Sequence, residues 1–205
     1  MQLMYKNISY FTICSFSCSE ELISLYNSFD DQVIKDLRLN AFFEDNGDEQ
    51  YRVSKVGEKV YDCFAIRSVE LYLNKAEAEA MLDKAEAIQT IKTLLHNRFE
   101  GGIPDVDGLS GKDLVSFIRD ERRRELCFEA HRWFDLRRYA VSPKYPEKKS
   151  IRHTAYDIKG KLEGDYVLKP YGEDPAWVLP IPGYEIVYNQ GNLVDNPQRV
   201  DRELE

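Results

Sequence analysis

The chain has 205 residues, of which 43% are hydrophobic and 31% charged. This is the composition of an ordinary folded domain, and it excludes a disordered or collagen-like chain. The formal net charge of −8 opposes binding to nucleic acid phosphates. The stretch 119–138 is rich in arginine, but its seven arginines are mixed with five acids, so it favours ion pairs between helices over a nucleic acid surface.

The four cysteines, Cys14, Cys18, Cys63 and Cys127, are too few for a disulfide-stapled fold and lack the paired spacing of a zinc site. We expect Cys63 and Cys127 to behave as small buried hydrophobic residues. Residues 1–19 imitate a lipoprotein signal, but polar residues interrupt the apolar patch and one lysine precedes it. We therefore expect a β-rich or extended segment of the folded body there. The chain has no run long enough for a membrane span.

The first helix signal is Ser19, because a hydroxyl side chain followed by Glu20 and Glu21 is typical of a helix N-terminus. Residues 45–48, Asp-Asn-Gly-Asp, have the composition of a turn. The apolar residues that follow, from 51 to 56, predict a short strand. The first part of the chain is therefore expected to mix short helices with short strands.

Two amphipathic helices are the clearest elements, predicted over 66–82 and 85–95 with a turn at 83–84 between them. Together they form an αα-hairpin, which is how one tetratricopeptide-type unit is built. Small residues on the first helix would let the two helices approach closely: Ala76, Ala78 and Ala80.

A further helix is expected after Ser110, which forms a capping-box pattern with Asp113. Pro143 ends helical structure beyond it. Residues 142–170 are polar and are expected to be loop with short strands. The segment 177–182 contains two prolines, which predict an extended segment pressed on the core.

Three stretches stand in a distinctive order: IRSVELYLNKAEA (66–78), ERRRELCFEAHRWFDLRR (121–138) and WVLPIP (177–182), the last followed by Glu185 and residues 189–197. In order and spacing they resemble the C-terminal portion of the SusD/RagB family of glycan-binding outer-membrane lipoproteins. The stretch from Ser19 to Phe43 also fits the middle region of that family. The resemblance therefore covers nearly the whole chain.

The resemblance implies a mainly α fold: a tetratricopeptide-like helical hairpin plus helices, with loop-rich, short-strand C-terminal segments. It divides the SusD/RagB-like C-terminal domain (1–205) into a middle-region segment (1–63), a helical hairpin with the following helix (64–141), and a loop-rich tail packed on the helices (142–205). Family members are longer and begin with a lipidated cysteine. We therefore expect a C-terminal fragment, a truncated paralogue or a misassigned start.

If repeats are missing, the first helix of the hairpin should lose the surface that covers it. We therefore expect its face at Val69, Leu73 and Ala76 to be partly uncovered.

The resemblance also implies a non-catalytic function at the extracellular face of the outer membrane. Family members bind a glycan or oligosaccharide and pass it to a TonB-dependent outer-membrane transporter. We expect no cofactor, metal or nucleic acid for this chain. Sugar rings stack on flat aromatic side chains. The candidate glycan-binding residues are therefore the tyrosines of the polar loop region: Tyr145, Tyr156, Tyr166 and Tyr171.

Two alternatives to glycan capture are a tetratricopeptide-like module that binds a protein or peptide and a truncated paralogue that binds nothing. The hairpin at 69–95 supports the module, but a single hairpin cannot bury its own apolar face and would need a partner. An enzyme is disfavoured, because no nucleophile signature lies near His131 and, among 36 acids, some carboxylate pair will always have glycosidase spacing.

The remaining charged motifs favour structural roles. Residues 45–48 and 105–108 lack the register of a calcium-binding EF-hand loop and predict turns. The 121–138 stretch predicts a buried ion-pair network, because arginine forks satisfy carboxylates bidentately. We expect Trp133 and Phe134 within it, and Trp177 in the tail, to be core residues.

Overall fold

The structure is a computed structural model that describes residues 18–29, 33–45, 47, 51–55, 67–157, 161–197 and 204. These residues form seven α-helices, six short strands and a 3-10 helix, so the fold is mainly α, as predicted. The chain divides into two compact units, 1–132 and 133–205. Among the described residues, no helix combines the length and the apolar character needed to cross a membrane.

The elements of the first unit are, in chain order, α1 (Glu20–Asn27), β1 (Lys35–Asp36), α2 (Leu37–Phe42), β2 (Phe43–Asp45), β3 (Tyr51–Val53), α3 (Ser68–Met81), α4 (Glu86–Leu95), β4 (Phe99–Glu100) and α5 (Gly111–Glu125). The second unit contains α6 (Arg132–Ala140, whose first residue belongs to the first unit), β5 (Ile151–Tyr156), β6 (Leu162–Leu168), the 3-10 helix Pro175–Trp177 and α7 (Gly183–Tyr188). The strands pair antiparallel, β1 with β4, β2 with β3 and β5 with β6.

Helix α1 begins where the sequence predicted it. The Ser19 hydroxyl accepts a hydrogen bond from the backbone N–H of Leu22 at 3.3 Å, which satisfies one of the open donors of the first turn. Its apolar face packs into a cluster of buried residues: Cys18, Leu22, Ile23, Tyr26, Phe43 and Cys127. Cys127 is thus a buried small residue, as predicted, whereas Cys63 and residues 1–17 lie outside the described residues.

Helices α3 and α4 form the predicted hairpin, but the expectation of an uncovered face on α3 is wrong. Val69, Leu73 and Ala76 are buried, because α5 packs on α3 in addition to α4. Ala80 lies one turn beyond Ala76 on the same face and is buried, whereas Ala78 points to the other side and is exposed. The close approach of the helices thus uses two of the three predicted alanines.

Helix α5 starts after Ser110, as expected, but without the predicted side-chain cap. The backbone carbonyl of Ser110 accepts from the N–H of Asp113 at 3.1 Å, and its hydroxyl makes no cap bond. Gly111 follows with a φ of +54°, a left-handed conformation that glycine adopts without strain. The chain therefore enters the helix through a glycine turn instead of a capping box.

In the second unit, β5 and β6 form a hairpin with an irregularity between Ala155 and Tyr156. The prediction of a polar region with short strands is therefore confirmed. After the 3-10 helix, Val178 returns to an extended backbone, and α7 begins beyond Pro182. The segment between them contains no helix, as its prolines predict.

Candidate functional site

An aromatic cluster centred on Trp177 organises the second unit. The Trp177 ring is 1% exposed and lies 4.5 Å from the Trp133 ring, measured between centroids. Tyr171 meets Trp177 edge to face at 5.9 Å. The indole N–H of Trp177 donates to the Lys169 carbonyl at 2.6 Å, so the one polar atom of the ring is satisfied.

Asp174 fixes the turn that delivers Trp177 to this cluster. Its carboxylate accepts from the backbone N–H of Ala176 at 2.9 Å and from that of Lys169 at 3.2 Å. Pro175 supplies a preset φ at the first helical position. The sequence Gly-Glu-Asp-Pro at 172–175 therefore encodes a rigid corner beside Tyr171.

A cavity of about 430 Å³ opens beside this corner. Tyr171 and Trp177 form its aromatic part, and Glu173 contributes a carboxylate. The Tyr171 ring is half-buried, and the guanidinium of Arg137 lies over it at 5.1 Å from the centroid. Tyr171 is thus a flat ring held in place by its neighbours at the edge of an open pocket.

The four predicted tyrosines lie in different places in the second unit. Tyr171 lines the cavity. Tyr145 is half-buried, with the Lys144 ammonium 5.4 Å from its ring centroid. Tyr166 is 40% exposed on β6, in register with His153 of β5. The backbone of Tyr156 belongs to β5, and its side chain lies outside the described part of the structure.

Two charged residues that line the pocket, and one that contacts its tyrosine, were not predicted from the sequence. Glu173 and Asp174 had no assigned role, although Gly-Glu-Asp-Pro is typical of a turn. Arg137 was grouped with the ion pairs of the 121–138 stretch, but it stacks on Tyr171. Thirty-four residues separate the two, so spacing along the chain gave no signal of their contact.

The core assignments on α6 need one correction. Trp177 is buried, as predicted, and Trp133 is half-buried. Phe134 is 66% exposed, so its assignment to the core is wrong. Successive residues of a helix point about 100° apart, so Phe134 faces solvent when Leu136 and Tyr139 face inward.

The predicted ion-pair network is confirmed in the first unit, where it is almost wholly buried. Arg38 of α2 reaches Asp36 at 2.7 Å, Glu121 at 2.5 Å and Glu125 at 3.0 Å. Arg124 pairs with Glu121 at 2.8 Å, which is the helical pairing expected from their spacing. The network ties α2 to the C-terminal half of α5.

The partly exposed end of this network centres on Glu125. Arg67 approaches its Oε1 at 2.6 Å, and Arg98 approaches its Oε2 at 2.7 Å. Arg67 also pairs with Glu129, which Lys55 contacts at 2.6 Å. One carboxylate is therefore shared by three arginines that come from α2, from the start of α3 and from the chain just before β4.

These contacts change the acidity of the buried groups. Burial alone would raise the pKa of Glu121, but the charges and hydrogen bonds of Arg38 and Arg124 lower it to about 2. Burial also acts to raise the pKa of Glu125. The hydrogen bond from Arg98 and the charge of Arg38 outweigh this effect and lower the pKa of Glu125 below its ordinary value. Burial and the nearby charge of Cys127 raise the pKa of Cys18 to about 12. The lowered pKa values keep Glu121 and Glu125 ionised at neutral pH, where both are paired with arginines.

The other motifs considered for chemistry have structural partners. His131 Nδ1 lies 3.8 Å from a carboxylate oxygen of Glu70. The Asp45 and Asp105 side chains accept backbone hydrogen bonds from Gly47 and Asp107, as expected of turns. In the part of the chain that the structure describes, no group of three or more His, Cys, Asp and Glu has the arrangement to hold a metal ion.

The chain matches known proteins over most of its length. The model of the SusD family matches residues 38–198. SusD-like protein P2 of Formosa agariphila is 26% identical over 147 residues, which are 64% of this chain and 25% of that protein. SusD-like protein P38 of the same organism is 40% identical over 77 residues, which are 34% of this chain and 15% of that protein.

A crystal structure of a SusD-like protein from Bacteroides fragilis NCTC 9343 is 28% identical in sequence. The matched region is 64% of this chain and 25% of the Bacteroides fragilis chain, and the TM-score of the match is 0.41. The matched regions span a quarter or less of the length of these relatives. Because the family model matches residues 38–198, which are most of the chain, the chain belongs to the SusD family.

Proposed function

We propose that the chain takes part in non-catalytic capture of glycans for nutrient uptake at the outer face of the outer membrane, with a TonB-dependent transporter as its partner. Membership of the SusD family supports a role in glycan binding and nutrient uptake. Within the second unit we assign the sugar contact to the cavity beside Tyr171. The transporter and the membrane location rest on the family alone.

The observation that carries the assignment to this cavity is the position of Tyr171. Its ring lines an open pocket of about 430 Å³, and Arg137 and Trp177 hold it from two directions. A ring that is already ordered loses little conformational entropy when a sugar stacks on it. The Glu173 carboxylate at the same pocket is an acceptor for sugar hydroxyls, although it also receives a bond from Lys148 at 3.2 Å.

The other predicted tyrosines have weaker support. Tyr166 is the best of them, because 40% of it is exposed on the face of a hairpin. Tyr145 and Tyr156 remain candidates, as proposed from the sequence. A single sugar–aromatic contact contributes about 1 kcal/mol, so the affinity for a free oligosaccharide is expected to be micromolar to millimolar.

Affinity electrophoresis in native gels tests this function. The purified chain is run through gels that contain neutral plant and host polysaccharides, and its mobility is compared with that in a gel without glycan. We expect retardation by at least one glycan. Tyr171→Ala should weaken that binding about three- to tenfold, because it removes one stacking contact.

Tyr72→Ala is the matched control, because Tyr72 is 43% exposed on α3 in the other unit. Its retardation should equal that of the unaltered chain. Equal retardation of the Tyr171→Ala variant would remove the cavity from the proposal and make Tyr166 the next residue to change. Uniform mobility in every gel would contradict glycan binding by this chain and favour the protein-binding or non-binding alternatives.

A further inference from the structure

A second cavity, of about 220 Å³, lies at the partly exposed end of the ion-pair network in the first unit. Arg38 and Glu125 line its buried side, and Arg67 and Arg98 stand beside them. Phe42 and Asn97 add a ring and an amide to the lining. The cavity therefore combines guanidinium groups, an aromatic ring and a neutral polar group in one small space.

The charges of the ion-pair network beside this cavity do not balance among the residues that the structure describes. Within the described residues, the joined network contains five cations and four carboxylates: Arg38, Lys55, Arg67, Arg98 and Arg124 against Asp36, Glu121, Glu125 and Glu129. The difference, 5 − 4, is one positive charge. Arg38 and Arg124 are buried, whereas the side chains of Arg67 and Arg98 are 34% and 24% exposed. The positive charge that is accessible at the cavity is therefore that of Arg67 and Arg98.

The two accessible arginines also keep unused donors. A guanidinium has five N–H groups. Arg98 gives Nε and Nη2 bonds to Glu125 and one Nη1 bond to the Asn97 carbonyl. Arg67 bonds through Nη1 and Nη2 to Glu125 and Glu129, and its Nε–H has no partner among the described residues. An acceptor with two oxygens would use these donors and neutralise the surplus charge.

We propose that this cavity binds the carboxylate of an acidic sugar, such as a uronic acid residue of a glycan, through Arg67 and Arg98. A carboxylate is planar, and its two oxygens match the fork of a guanidinium. Phe42 supplies an apolar surface for the sugar ring, and the Asn97 amide is available to a hydroxyl. The sugar part of this ligand rests on the glycan-binding function proposed above, whereas the recognition of a carboxylate rests on the arginines alone.

Isothermal titration of the whole chain with trigalacturonic acid at low salt tests this site, with the neutral galactose trisaccharide as the matched ligand. We expect the acidic trisaccharide to bind at least tenfold more tightly than the neutral one. The difference should shrink in 0.5 M salt (about 4 Å of Debye length), because the exposed part of the attraction is screened.

Two variants of Arg98 locate the binding. Arg98→Gln removes the charge, and Arg98→Lys keeps the charge but loses the fork; both leave Glu125 paired with Arg38 and Arg67. We expect about tenfold weaker binding for the first and an intermediate loss for the second. Arg52→Gln is the control, because it removes one exposed arginine of β3 that pairs with Glu44 away from this cavity.

Several results would overturn the proposal. Unchanged affinity in both Arg98 variants would place the acidic sugar elsewhere, and equal affinity for acetate or inorganic sulfate would mean an adventitious ion only. Loss of binding in Tyr171→Ala but not in the Arg98 variants would refute this site and leave the proposed function intact. If the Tyr171→Ala variant still bound trigalacturonic acid and the chain bound no neutral glycan, the result would support this site and contradict the proposed sugar contact at the Tyr171 cavity.

Discussion

Each of the two units is stabilised internally by a different kind of interaction. In the first, a carboxylate at the end of α5 is shared by three arginines from distant parts of the sequence. In the second, an indole ring is packed between other aromatic rings beside a proline turn. Buried ions require particular partners because each ion left alone is costly, whereas stacked rings tolerate changes at their edges. The first arrangement fixes the positions of helices through paired charges, and the second fixes a turn through packed rings.

The largest expected change in stability comes from removing the shared carboxylate of Glu125. Glu125→Ala leaves Arg98 without its carboxylate partner and weakens the hold on Arg38 and Arg67, so we expect a loss of about 3–5 kcal/mol in the free energy of unfolding. Urea unfolding followed by far-UV circular dichroism measures it. Glu44→Ala, which breaks an ion pair that is 54% exposed on both sides, should cost at most about 1 kcal/mol. Similar losses for the two variants would contradict a special role of burial.

Acid should weaken the first unit through Glu121. Its pKa is about 2 in the folded chain against 4.5 ordinarily, so its stabilising contribution is present above pH 4.5 and is lost as the pH falls towards 2. This shift corresponds to about 3 kcal/mol. Urea midpoints across this pH range measure the effect. Glu121→Gln should flatten the dependence, whereas Glu44→Gln should leave its slope unchanged; equal slopes in all three proteins would refute the assignment.

A smaller effect is expected in the aromatic cluster. Trp177→Phe keeps a ring but loses volume and the N–H bond to the Lys169 carbonyl, so we expect a loss of about 1–3 kcal/mol. Near-UV circular dichroism during urea unfolding follows the packing of the rings. Phe134→Leu should change stability by less than about 0.5 kcal/mol, because Phe134 is exposed. A larger loss from Phe134→Leu than from Trp177→Phe would reverse the assignment of the two side chains.

The smallest effect concerns two serines that precede helices in the first unit. Ser19 caps α1 with its side chain, so Ser19→Ala should cost about 1 kcal/mol. Ser110 stands before α5 without a side-chain cap bond, so Ser110→Ala should be nearly neutral. Thermal unfolding of the two variants measures the difference. Equal costs would mean that the Ser110 hydroxyl caps α5 in solution.

Local patterns predicted the local structure well. The Ser19 cap and the turn between α3 and α4 depend on residues a few positions apart. The Ser110 cap failed, because the left-handed Gly111 that follows it changes how the chain enters the helix. Neighbouring residues can thus define an element correctly and still misassign its terminal hydrogen bonds.

Contacts over long separations in sequence could not be predicted. Glu125 and Arg124 are neighbours in the sequence, yet the arginines that hold Glu125 lie 87, 58 and 27 residues away. The covering of Val69 and Leu73 by α5 and the stacking of Arg137 on Tyr171 are likewise set by the packing of elements. A single sequence carries the residue types for these contacts but not their pairing, which is why the family resemblance was needed to propose a function.

The position of the tryptophans gives the chain an optical label of its own. It has only two, Trp133 and Trp177, and both belong to the second unit. Light absorbed by indole therefore reports on that unit alone. With 4.5 Å between the two rings, excitation passes from one to the other, and emission should come from one buried and one half-buried indole. Emission that shifts to the red before the helical signal disappears would reveal that the two units melt separately, without any added dye.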